Sequence, residues 1–164
     1  MTITGTIDTV AVAGILPHRY PMLLVDRVVA LEPGVGLVAQ KAITASEPWF
    51  RDGARMEFPP VLLLESWCQA AGILVAHVNP NPDVLSGQVM LFGSIADVRF
   101  GRPVVPGDVV EHRVRLVKDL GDTAVFDGES SVDGEPMLWV GRITMAMRPA
   151  AALTAPATAM GGVR

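Results

Sequence analysis

One stretch limits what this chain can fold into more than any other: Val61 to Val78 is apolar except at a few positions, among them Glu65, Gln69 and His77. It approaches membrane-spanning length, but those three side chains are costly in lipid, so it is expected as a helix buried in protein. Asn79-Pro80-Asn81-Pro82 closes it, because proline cannot continue the helical ladder and disfavours helix in the residue before it. The flanking sequence reads as strands: Met22–Leu31, closed by Glu32-Pro33-Gly34, then Val35–Thr44, Val89–Phe100, Asp108–Lys118, Thr123–Val132 and Met137–Met147. Gly101–Gly107, Gly121-Asp122 and Asp133-Gly134 separate the later ones, the last being a strong hairpin signal. One apolar helix and about six strands predict an α+β domain with an antiparallel sheet wrapped around the helix. Ser46–Pro60, with prolines at 48, 59 and 60 amid mixed charges, is expected as an irregular loop leading into the helix.

At 164 residues, the chain is long enough for one sizeable core. Residues 1–148 are read as one domain, and 149–164, rich in Ala, Thr, Gly and Pro without periodicity, as a disordered tail. A net charge of −4 with no basic run argues against nucleic-acid binding. The single cysteine, Cys68, cannot form an internal disulfide and has no Cys or His at metal-ligand spacing. Met1 to Val10 lacks the basic opening of an export signal, so a reducing, cytoplasmic location is expected.

Specific residues carry more than this pattern does. Leu16-Pro-His-Arg-Tyr-Pro-Met-Leu-Leu-Val-Asp-Arg27, then Glu47-Pro48, Leu64-Glu65, Gln69-Ala70-Ala71-Gly72 and Arg102-Pro-Val-Val-Pro-Gly-Asp108 together resemble, in order, the FabZ-type 3-hydroxyacyl-acyl carrier protein dehydratases. The similarity runs over roughly residues 14 to 147. It implies a hot-dog fold and a dimer joined edge to edge, with active sites in tunnels at the interface. A histidine of one subunit and an acid on the central helix of the other then act on a 3-hydroxyacyl chain. That chain is carried on the phosphopantetheine of an acyl carrier protein, and no metal or other cofactor is implied.

Loss of water from such a substrate needs a base for the proton beside the thioester carbonyl, an acid for the departing hydroxyl and a donor for the developing oxyanion. By the resemblance, Glu65 is the catalytic acid. The apolar helix around it is expected to favour its neutral form through desolvation, and Gln69, one turn on, to orient it. Val61, Phe50 and Phe58 are candidate substrate-binding residues with Gln69. Val61 keeps a backbone N–H where Pro60, at the position of the family's oxyanion glycine, has none.

The family's histidine is absent. Arg51-Asp-Gly-Ala-Arg-Met-Glu-Phe-Pro-Pro60 stands in place of the histidine loop, with Gly53 or Ala54 near the histidine position. Other residues are read as poor replacements. His18 lies in a stretch the family shares without using it as a base, His77 lies near the helix C-terminus, and His112 alternates with Val110 and Val114 on an inward face. Asp52 and Glu57 have the proximity but not the basicity. Trp49, Trp67 and Trp139 are expected to fill core or interface, and Arg51, Arg55, Arg99 and Arg102 are candidates for a collar around an acidic carrier protein.

The expected function is therefore a subunit of a 3-hydroxyacyl-acyl carrier protein dehydratase, in fatty-acid or polyketide assembly. It is the half of a heterodimer that lacks the histidine and brings Glu65 to a site shared with a homologous, histidine-bearing subunit. A homodimer, a stand-alone isomerase or thioesterase, and a noncatalytic acyl-carrier binding module are the alternatives.

Overall fold

The computed structural model describes residues 6–50 and 56–154. The central helix, α2, spans Pro60–Ala76. Pro59 is its N-cap and Pro60 its first residue, where a missing N–H costs nothing because the first turn has no helical acceptor for it. His77 caps the other end and Asn-Pro-Asn-Pro follows, so the stop expected from sequence falls at the helix terminus. From Trp67 through Leu74 every side chain is buried.

Six antiparallel strands cover this helix: β1 Arg27–Glu32, β2 Gly36–Ala42, β3 Gln88–Phe100, β4 Val109–Asp119, β5 Thr123–Val132 and β6 Glu135–Pro149. They pair in the order β1-β2-β4-β5-β6-β3. The chain therefore leaves α2, lays β3 at the far edge and returns through β4 beside β2. Asp133 and Gly134 both have positive φ, 51° and 81°, and close the β5–β6 hairpin in the backbone conformation such a turn requires. The helix lies against β2 and β4, and its Trp67 indole donates to the Arg113 carbonyl of β4 at 3.2 Å.

Two local differences from the sequence reading matter. Strand β1 starts at Arg27, not Met22, because the backbone of residues 22–24 is held by side chains of α2 instead of by a neighbouring strand. The apolar residues before Pro17, given no element above, form a helix, α1 (Thr9–Ile15), whose first turn is capped by the Asp8 carboxylate accepting from the Ala11 N–H at 2.9 Å. At the other end, β6 runs to Pro149 and a short helix, α3, covers Ala150–Thr154 with Ala150 buried. Residues 155–164, most of the expected tail, lie outside the described residues.

Candidate active site

The few polar side chains of α2 dock the N-terminal segment onto the helix. Gln69 is buried and fully engaged: its Oε1 accepts from the Leu24 N–H at 2.8 Å, while Nε2 donates to the Met22 carbonyl at 2.7 Å and to Glu65 Oε1 at 2.9 Å. Both amide hydrogens are used, so the Glu65 carboxyl is anchored through one oxygen. Ser66 donates to the Leu24 carbonyl at 2.6 Å. That single hydroxyl proton is then spent, so His112 Nε2, 2.7 Å away, must be the donor to Ser66, and Ser130 must donate to His112 Nδ1 at 2.7 Å. His112 is accordingly a neutral, satisfied core histidine, and burial, with a smaller push from Lys41, lowers its pKa to about 3.

This docking brings His18 over Glu65. Pro17 ends α1, and the Arg19 guanidinium donates to the carbonyls of Leu16 at 2.8 Å and His18 at 2.7 Å, which folds the turn back on itself. His18 Nε2 then lies 3.4 Å from Glu65 Oε1. Its Nδ1 is the only buried side-chain nitrogen or oxygen without a hydrogen-bond partner among the described residues. Burial lowers the His18 pKa below its ordinary value, against an opposing pull from Glu65 and with a further reduction from Arg19.

Glu65 and His18 stand at a cavity of about 160 Å³. It runs along the face of α2 that carries Cys68, Gly72 and Ala76 and is walled by Met90, Met145 and Met147 of β3 and β6. Small residues on the helix leave the room, and unbranched methionines supply an adaptable apolar wall. Glu65 retains 34% of its side-chain exposure, so the desolvation expected from the helix sequence is partial.

Of the other candidate residues, Val61 is 68% exposed in the first turn of α2, where an N–H has no helical acceptor. Phe50, at the end of a 3-10 turn over Pro48–Phe50, and Phe58 are both buried in the core cluster and do not line the cavity. Phe58 is held by its N–H on the Val104 carbonyl at 2.7 Å, which ties the approach to α2 to the Arg102–Asp108 loop. Glu47 accepts from buried Lys41 at 3.0 Å and from the Trp49 indole at 2.7 Å, fixing the start of the loop. Arg51, Asp52, Gly53, Ala54 and Arg55 lie outside the described residues. Arg102 pairs with Glu135 and Asp108, and His77 Nδ1 lies 2.8 Å from the Leu74 carbonyl at the helix end.

The proximity of His18 to Glu65 was not legible in the sequence, although Gln69 one turn from Glu65 was a usable signal that something docks there. No group of three or more His, Cys, Asp or Glu able to hold a metal occurs among the described residues, and no helix there is long and apolar enough to cross a membrane.

The family model for the FabA-like domain matches residues 16–140. A 3-hydroxyacyl-acyl-carrier-protein dehydratase FabZ of an Anaeromyxobacter species is 43% identical over 139 residues, covering 79% of this chain and 87% of the relative. The FabZ of a Shewanella species is 39% identical over 133 residues, covering 80% and 86%. Among solved structures, the dehydratase heterocomplex ApeI:P from Xenorhabdus doucetiae superposes with a TM-score of 0.71 at 19% identity, over 87% of this chain and 93% of that one. A hypothetical thioesterase with coenzyme A from Streptococcus pneumoniae superposes with a TM-score of 0.55 at 14% identity, over 74% and 84%. At such identities these two likenesses speak for the hot-dog fold.

Proposed function

Because this chain belongs to the family of FabA-like domains, we propose that it is a subunit of a 3-hydroxyacyl-acyl carrier protein dehydratase and that Glu65 is its catalytic acid. The observation that carries this reading is the carboxyl anchored by Gln69 through one oxygen in the lining of a mainly apolar cavity. Its other oxygen is left to face the substrate.

In the reaction a base takes the proton from carbon 2 and that electron pair becomes the new double bond. The bond from carbon 3 to its hydroxyl breaks with its pair, and the Glu65 proton goes to the departing hydroxyl, which leaves as water. The oxyanion that develops on the thioester is met by the Val61 N–H at the positive end of α2, alone where Pro60 offers none.

A base is still required, and we assign it to the histidine of a homologous partner subunit. Two features support completion by a second subunit. The cavity at Glu65, at about 160 Å³, is smaller than the several hundred Å³ common for ligand sites, so by itself it does not hold an acyl-phosphopantetheine arm. It also lies at the free edge of the sheet: Val89, Met90 and Phe92 of edge strand β3 line it, and Phe92 and Phe100 are 55% and 46% exposed. A strand paired to that edge would satisfy its open backbone groups and roof the cavity together. Gln69 then holds the acid, while Phe50 and Phe58 pack within the core.

The test is dehydration of a 3-hydroxyacyl carrier protein by the purified chain, by a histidine-bearing homologue whose own acid has been removed, and by the two together. Turnover is expected only in the mixture and is expected to vanish with Glu65→Gln. Dehydration by the chain alone would refute the division of labour, and hydrolysis of the thioester would place the protein in a different reaction class.

A further inference from the structure

His18 is not explained by the roles assigned so far. It faces the Glu65 carboxyl at 3.4 Å, lines the same cavity and has a buried Nδ1 without a partner, an arrangement that a histidine serving only to fill space does not need.

The two ring nitrogens decide its state. Whichever tautomer is present, Nδ1 has no partner, and a buried orphan N–H is rarer than an under-satisfied acceptor. The proton therefore belongs on Nε2, which points at Glu65. Protonating the ring would force an unpaired N–H onto Nδ1 as well, so the imidazole stays neutral near pH 7, in line with the downward pull of burial on its pKa. The charged and titratable groups around it are few. Glu65 lies opposite, Arg19 is adjacent in the chain with its guanidinium turned to backbone carbonyls, and Cys68 in the cavity is held as a neutral thiol by burial.

We infer that His18 is a positioning residue for Glu65: as a neutral donor it joins Gln69 on Oε1, leaving Oε2 as the oxygen that carries the proton given to the substrate hydroxyl. A separation of 3.4 Å is longer than a formed hydrogen bond, and such contacts commonly tighten when substrate closes the site. Neutrality is what makes the device work. A cation there would stabilise the carboxylate and hold back the proton, whereas a neutral donor orients the group without claiming its charge. Acidification that protonates His18 places such a cation against the Glu65 carboxyl and weakens it as a proton donor.

This inference rests on the dehydratase reading, and its test separates the two. In the mixed dimer, His18→Leu is expected to lower kcat by roughly tenfold to a hundredfold with little change in KM, and His18→Arg by at least as much. His18→Gln, which keeps an N–H donor but cannot titrate, should recover part of the loss and flatten the acidic limb of the pH profile. The second measurement needs no turnover: the His18 ring, followed by NMR, should titrate at lower pH in Glu65→Gln than in the native chain, since the carboxylate's upward pull is removed. An unchanged titration in Glu65→Gln, or a His18→Gln enzyme that keeps the native acidic limb, would overturn the proposal. Absence of dehydration in every subunit combination would sink the dehydratase reading while the titration still decides the pairing.

Discussion

At the scale of single residues, α2 uses its polar side chains as fasteners. Ser66 and Gln69 each take backbone groups of residues 22–24, and what they leave over is spent on His112 and Glu65. Neighbours on the same helix are kept inert. Cys68 lines the cavity three residues on from Glu65, yet burial, reinforced by the Glu65 charge, pushes its thiol up to about 12. Because the thiolate is the reactive form, the folded chain at pH 8 is expected to alkylate at least ~100-fold more slowly than the chain in urea. Iodoacetamide labelling followed by mass spectrometry checks this; equal rates would mean that the cavity opens freely to solvent.

At the scale of elements, the sheet wraps the helix by yielding at one glycine. Gly128 of β5 has a φ of 153°, and a Cβ there would stand 2.0 Å from the Arg113 carbonyl oxygen and 3.1 Å from the Trp67 ring. The Trp67 indole donates to that same carbonyl, so the close approach of β4, β5 and α2 depends on the missing side chain. The ladder also shifts register between Phe126 and Gly128. Gly128→Ala sets a side chain against backbone that cannot move aside cheaply, and a loss of about 2–3 kcal/mol or more is expected in urea unfolding. A loss below half a kcal/mol would show that β4 and β5 can separate without harm.

At the scale of the whole molecule, the fully buried His112 ties stability to pH. His112 has an ordinary pKa of 6.5 when unfolded and about 3 when folded, because burial disfavours its charged form. Above 6.5 it is neutral in both states and adds no slope. As pH falls from there toward 3, the unfolded chain takes up a proton that the folded chain refuses, so stability drops, by several kcal/mol in full. Denaturant midpoints measured across this window should fall in the native protein and fall less steeply in His112→Asn, whatever the variant's absolute stability. Parallel slopes would place the acid sensitivity elsewhere.

How much of this was legible from residue order alone depends on the range of the interactions involved. The limits of α2, the hairpin at Asp133-Gly134 and most strand ends could be read directly, since prolines, glycines and apolar runs act within a few residues of themselves. Glu65 and Gln69 on one helical face could be read for the same reason. The start of β1 could not, because Gln69 and Ser66 reach across the fold to take its backbone groups. Helix α1 was missed as well, since so short an apolar stretch has no period of its own to read and is held by its Asp8 cap and by packing. Nor could the placement of β3 at the free edge, the cavity beside it or the meeting of His18 with Glu65 be read. Those follow from which surfaces close over the apolar helix, a choice made by burial across the whole molecule that local sequence does not encode.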